Sequence, residues 1–213
     1  MQNDIPNLNI FMMCESLNYS ALSDLPNGYY FRNCKKDELD IWKAMPFDDA
    51  ETASEYYNFM TDYFNDVYAE KGDLFFDKCI FVCNKENQPI GTCFAWKAYN
   101  TITTIHWWKV SKDYEGRGIG RALLSHILRS ITPEDFPVFL HTQPESFRAI
   151  KLYADFGFSF LEDKMIGHRK NHYFKSVPVL KELIPEKFYV TFTTSKAPEF
   201  FLKAVASSLV NQF

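Results

Sequence analysis

The chain has 213 residues, 46% of them hydrophobic, and a formal net charge of -4; it can bury a sizeable core but lacks the basic face of a protein that tracks nucleic-acid phosphates. No run approaches the ~20 apolar residues that cross a bilayer, and Met1–Ile10 carries acid and amide groups instead of a basic-then-apolar leader, so a cytoplasmic protein with no nucleic-acid or membrane partner is expected. Five cysteines, Cys14, Cys34, Cys79, Cys83 and Cys93, form an odd set without a Cys-x-x-Cys pair, which predicts reduced thiols, no disulfide framework and no metal site.

In chain order, residues 1–27 read as an N-terminal extension with a short helix around Glu15–Ser23, closed by the turn at Leu25-Pro26-Asn27-Gly28. Tyr29–Asn33 reads as a first strand. Leu39 and Trp42 mark one helix over Lys36–Met45, and Tyr56, Phe59, Met60, Tyr63, Phe64 and Val67 mark a second over Thr52–Ala69, with Pro46 between them. Cys79–Cys83, Pro89–Tyr99 and Thr103–Val110 are rich in β-branched and aromatic residues and are joined by turn formers, which predicts an antiparallel meander.

From Gly118 the period changes: Ile119, Leu123, Leu124, Ile127, Leu128 and Ile131 form one stripe, an amphipathic helix that Pro133 ends. A strand at Val138–His141, a helix at Phe147–Phe156 stopped by Gly157, and a strand at Phe158–Leu161 follow. A helix ending near Leu183, a strand at Phe188–Thr193 and a last helix within residues 195–213 complete a single domain over residues 1–213. With 21 Phe and 12 Tyr the aromatic content is high, and two readings stay open: rings used as core, or rings lining a cleft.

The segment Glu115-Gly116-Arg117-Gly118-Ile119-Gly120-Arg121 lies between a strand and a helix, where the first helical N–H groups lack partners and the helix dipole favours an anion. Alternating glycines allow a diphosphate to approach the backbone, and Arg117 and Arg121 add charge that can reach phosphate oxygens. A dinucleotide fingerprint needs a glycine where Arg121 stands, and a P-loop needs Gly-Lys-Ser/Thr, so neither pattern is met.

The stretch from Val110 to Leu124 resembles the acetyl-CoA-binding motif of the GNAT superfamily of N-acetyltransferases. His141-Thr142-Gln143-Pro144, followed by Ala149–Phe158 with its Tyr-x-x-x-Gly-Phe ending, resembles the next strand and helix of that family. Glu115 departs from the Gln or Arg usual at its position, which leaves the anion contact to backbone amides. The resemblance implies an α+β fold with a central mixed, mostly antiparallel sheet of about seven strands flanked by helices. It further implies a V-shaped splay between the fourth and fifth strands, here Thr103–Val110 and Val138–His141.

Acetyl-CoA is then the implied co-substrate, with no metal. Its implied contacts are Trp108, Lys109, Val110, Arg117, Gly118, Ile119, Gly120, Arg121, Ala122 and Tyr153, the pantetheine arm pairing with the backbone of Trp108–Val110. A free N–H near Val110 would polarise the thioester, and Tyr153 would return a proton to the leaving thiolate. For the base, His106 and His141 are the candidates, because imidazole titrates near neutrality; by alternation His106 shares a face with Trp108 and Val110.

The partner is a small-molecule or peptide amine, and the protein a monomer or homodimer, the segment from Phe188 completing the sheet within one chain or across a dimer. Asp48, Asp49, Glu51 and Glu55 either greet a cationic amine or complement a helix dipole. Trp107, Trp108, Tyr56, Tyr57 and Phe59 either wall the acceptor pocket or pack the core. A non-catalytic acyl-CoA-binding sensor and an interaction module on the same scaffold are the alternatives.

Overall fold

The computed structural model describes residues 5–213. The first strand is β1 (Ile10–Cys14), followed by β2 (Tyr30–Asn33) and the helices α1 (Leu39–Ala44), α2 (Ala50–Glu55), α3 (Tyr57–Val67) and α4 (Leu74–Lys78). The meander is β3 (Ile80–Cys83), β4 (Pro89–Ala98) and β5 (Ile102–Val110), and α5 (Ile119–Arg129), β6 (Val138–Thr142), α6 (Phe147–Asp155) and β7 (Ser159–Leu161) come next. The chain closes with β8 (Met165–Ile166), β9 (Arg169–Lys170), α7 (Tyr173–Leu183), α8 (Glu186–Tyr189), β10 (Thr194–Ser195) and α9 (Glu199–Ala206).

Eight strands form one sheet in the order β10-β7-β1-β6-β5-β4-β3-β2, and β8 and β9 form a separate ribbon. Every pairing in the large sheet is antiparallel except β5 with β6 and β7 with β10. This is the mixed α+β sheet that the motifs imply, with one strand more. The extra strand comes from the segment expected to be an extension: Ile10-Phe11-Met12-Met13-Cys14 is wholly buried between β6 and β7. Buried on both faces, it shows no alternation, and its two methionines are poor strand markers. The helix expected around Glu15–Ser23 shrinks to one 3-10 turn at Tyr19–Ala21.

Helices α5, α6 and α7 cover one face of the sheet, where Leu123, Ile127, Ile150, Phe156 and Leu180 pack on Met12, Val82, Ile105 and Leu140. The opposite face holds two clusters. Trp42 of α1, Met60 of α3, Tyr68 just past its end and Phe75 of α4 pack on Phe81, Phe94 and Trp96, and Phe201 and Val205 of α9 pack with Phe11, Ile102 and Phe139. Most of the large aromatic population is therefore core. No helix among the described residues is long and apolar enough to cross a membrane.

At the C-terminal end, the aromatic run expected to be a strand at Phe188–Thr193 instead closes α8, which Pro185 caps, and only Thr194–Ser195 reaches β7. That pairing lies within the chain. Pro178 sits inside α7 without ending it.

Gly157 shows how tightly the two halves of the sheet are joined. Its φ is +101°, and a Cβ there would lie 2.8 Å from the Ser16 carbonyl oxygen, so both backbone conformation and space demand glycine. Gly157→Ala should lower stability by about 2 kcal/mol or more, read as a drop in the urea unfolding midpoint at unchanged slope.

Candidate active site

Two local features of the sequence meet at the C-terminal ends of β5 and β6. The first is a seam. These parallel strands pair only at Thr103 with Val138 and Thr104 with Phe139, and beyond that point both run on, β5 to Val110 and β6 to Thr142. Ser111 N–H donates to the Ile90 carbonyl at 2.8 Å, and Val110 stands opposite Gly91. Because antiparallel pairs alternate, the N–H and C=O of Val110 point away from β4, into the seam.

The second feature is the start of α5. Gly116 and Gly118 have φ of +74° and +80°, and Gly118 is the N-cap with no side-chain cap. The first helical bond is Ala122 N–H to the Gly118 carbonyl at 3.1 Å. The N–H groups of Arg117, Gly118, Ile119, Gly120 and Arg121 have no acceptor among the described residues, so an anion-seeking helix end faces outward. A Cβ at Gly116 would meet nothing within 4 Å, and one at Gly120 would lie 3.5 Å from the Trp108 ring.

Trp108 braces this end from below, its Nε1–H donating to the Gly120 carbonyl at 3.2 Å and its ring lying 5.0 Å from Tyr153. Tyr153, from α6, is 6% exposed and its hydroxyl has no hydrogen-bond partner among the described residues. Burial, with a smaller contribution from Cys93, holds the phenol far above its usual pKa, so it keeps its proton at neutral pH.

The arginine side chains depart from expectation. Arg121 donates to the Ala21 carbonyl at 3.1 Å and to Asp155 Oδ2 at 2.5 Å, and Lys151 reaches the same carboxylate at 2.8 Å. It ties α5 to α6 and to the N-terminal segment instead of waiting for phosphate; only its backbone N–H faces the opening. Arg117 is engaged more loosely, with the Asp113 carbonyl at 2.8 Å and Tyr29 Oη at 3.3 Å. Glu115 pairs with Arg148 at 3.6 Å on the surface.

The face assigned to His106 by alternation is overturned. Between Thr92 and Phe94 the single Cys93 opposes both Trp107 and Trp108, and Trp107 has φ +49°. This bulge reverses every residue after it: Trp108 and Val110 pack with α5, whereas His106 lies with Tyr68 and Phe94 on the opposite face. The ring is 3% exposed, with Tyr68 Oη at 2.5 Å from Nδ1 and Thr104 Oγ1 at 2.6 Å from Nε2. Thr104 donates onward to the Trp96 carbonyl, so Nε2 carries the ring proton and Nδ1 accepts from Tyr68. Both nitrogens of His106 are committed, and the seam does not reach them.

His141 also lies on that opposite face, its Nε2 at 3.0 Å from Asn9 Oδ1 and its ring against Phe11. Asn9 Nδ2 donates to the Lys170 carbonyl, which makes Oδ1 the acceptor and leaves His141 Nδ1 with an open lone pair. Of the acids, Asp49 caps α2 through Thr52 N–H at 2.8 Å, and Asp48 pairs with Lys109 at 2.6 Å. The aromatics divide: Trp107 packs against Tyr63 and Trp42, while Tyr56, Tyr57 and Phe59 are exposed. All five cysteines are buried and free, and no three His, Cys, Asp or Glu side chains among the described residues converge as metal ligands.

The sequence model of the acetyltransferase (GNAT) family matches residues 40–158, more than half of the chain. The chain belongs to the GNAT acetyltransferase family. Solved GNAT structures have the same fold. An acetyltransferase of the family from Colwellia psychrerythraea is 12% identical, with 73% of this chain covering 53% of that one at a TM-score of 0.51. A tandem GNAT protein from the clavulanic acid biosynthesis pathway is 14% identical, with 73% covering 50% at 0.52. The chain thus spans about half the length of these GNAT relatives. No curated protein matches it in sequence.

Burial holds both histidines neutral, each pKa pushed down to about 3, with the Arg169 charge adding to the effect at His141. The unfolded chain takes up protons near pH 6.5 that the folded chain refuses, so this contribution is complete above pH 6.5 and is lost as pH falls toward 3. Acidifying from pH 6.5 should therefore cost up to about 1.4 kcal/mol per pH unit for each histidine. Urea unfolding at pH 7, 6 and 5 checks this, and His106→Gln should flatten the slope.

Proposed function

We propose that the protein transfers an acetyl group from acetyl-CoA to a primary amine of a small molecule or peptide by direct attack on the thioester. One observation carries this reading: β5 and β6 part after two residue pairs, beside a helix start with five unpartnered N–H groups. A helix end of that kind suits a diphosphate, and an open strand edge suits the two amides of a pantetheine arm. The proposed contacts are the backbone of Trp108, Lys109 and Val110 along the arm. The amides of Arg117, Gly118, Ile119, Gly120 and Arg121, with the start of Ala122, surround the diphosphate.

In the reaction, the neutral amine nitrogen bonds to the thioester carbon, and the carbonyl oxygen gains charge as the tetrahedral centre forms. Val110 N–H, directed into the seam, is the proposed donor to that oxygen. Collapse breaks the C–S bond, and the proton that nitrogen loses as the amide forms replaces the one passed to the departing thiolate, so the donor to sulfur ends the cycle protonated as it began. Tyr153 is the proposed donor to sulfur, since its phenol stays protonated and its hydroxyl is otherwise unpartnered. Of the two histidines, His141 keeps the open lone pair that a base needs, and His106 does not.

Two measurements test the reading. Isothermal calorimetry should detect acetyl-CoA binding that is lost when Gly118 and Gly120 are both replaced by leucine, because Gly118 needs the left-handed conformation that aims the amides outward and a side chain at 120 would press on Trp108, which braces the helix start. A folded double variant that still binds acetyl-CoA would remove the helix start from the site. Tyr153→Phe should lower kcat by roughly tenfold to a hundredfold with acetyl-CoA affinity nearly unchanged, followed as coenzyme A release with an amine panel. Acetyl-CoA binding without release from any amine points to the sensor alternative.

A further inference from the structure

Outside the residues used so far, one partly buried cation has no counter-charge among the described residues. Arg169, on the β8–β9 ribbon, lies between two rings, its Cζ 4.7 Å from the Phe11 centroid and 5.3 Å from that of Phe213. Among the described residues it makes no ion pair and no hydrogen bond, and its Nε is buried with no partner. Stacking on aromatic faces satisfies the planes of a guanidinium but none of its five N–H donors. The more water a cation loses, the more it gains from an anionic partner, and burial already lowers the Arg169 pKa from the ordinary arginine value.

The position of this cation is as informative as its lack of a partner. Phe11 stands directly opposite His141 in the β1–β6 ladder, two residues past the last β5–β6 pair, and its ring touches the imidazole as well as Arg169. Arg169 therefore sits beside the β6 wall of the open seam, on the face away from α5. Its charge is felt by His141 there and by Tyr63, whose ring packs on Trp107 at the β5 bulge. Tyr99 supplies a third hydroxyl or ring nitrogen neighbour of the same kind, a phenol within reach of the guanidinium's field. Its neighbours there are rings and neutral polar groups, and among the described residues no carboxylate forms an ion pair with it.

We propose that Arg169 is the receptor for the carboxylate of the acceptor, so that the amine substrate is a small molecule of amino-acid type. This rests on the acetyl-transfer reading above and deepens it. A planar carboxylate matches the guanidinium fork, whose faces are covered by the Phe11 and Phe213 rings while its outer N–H groups stay free to take a ligand. A carboxylate held there places the attached amine toward His141 Nδ1, the open lone pair, and toward the seam. It also offsets the positive charge that, with burial, keeps that imidazole from accepting a proton.

The test uses the full chain, acetyl-CoA, and the twenty common L-amino acids paired with their carboxamides, read as coenzyme A release. At least one amino acid should be turned over, with a kcat/KM above that of its carboxamide by tenfold or more. Arg169→Gln should abolish that preference through KM while leaving the calorimetric affinity for acetyl-CoA unchanged, which also shows that the variant folds. Arg169→Lys, which keeps the charge and loses the fork, should restore part of the preference. Turnover of carboxamides as good as that of amino acids overturns the inference but not the enzyme, as does acetyl-CoA binding with no amino acid turned over. A native chain that fails to bind acetyl-CoA overturns the underlying reading, and this inference with it.

Discussion

The site depends on a pairing that stops. Parallel strands normally share hydrogen bonds along their whole overlap, and an edge left open is a liability that folds cover or blunt. Here β5 and β6 share two residue pairs and then diverge, each still held on its other side, β5 by β4 and β6 by β1. The outer ladders let the seam open without loosening the sheet. The opening exposes backbone donors and acceptors to an extended ligand at the point where α5 presents its unpartnered amides.

The bulge at Trp107 and Trp108 is the second half of that arrangement. It puts a bulky residue in the left-handed region, a conformation that persists only when neighbours over-determine it. Those neighbours are visible: Trp107 Nε1–H donates to Tyr68 Oη at 3.1 Å, and Tyr68 donates in turn to His106, whose other nitrogen is held by Thr104. On the other side Trp108 is fixed by the Gly120 carbonyl. The same kink that bends β5 away from β6 thus sends one tryptophan to each face, one bracing the anion-seeking helix end and the other facing Tyr63 and the first four helices.

Much of this was legible in the residues. The glycines at 116, 118 and 120, the stripe from Ile119 to Ile131 and the stop at Gly157 are local signals, and local signals survive folding. The meander was legible for the same reason. What escaped depends on neighbours distant in sequence. Ile10–Cys14 is a central strand only because β6 and β7 close over it, and alternation along β5 fails at a bulge that no residue type announces. Arg121 looks like a phosphate ligand until Asp155, 34 residues away, claims it. Arg169 carries no motif at all; what marks it is the company of Phe11 and Phe213, set by tertiary packing.

The central position of β1 also constrains how the molecule is made. Residues 10–14 leave the ribosome before their ladder partners, Val138–Thr142 and Ser159–Phe160, which are synthesised more than a hundred residues later. Closing so long a loop makes this pairing a slow step. Until then a five-residue apolar strand waits with both edges bare, an aggregation hazard in the nascent chain and a natural point for a chaperone to hold.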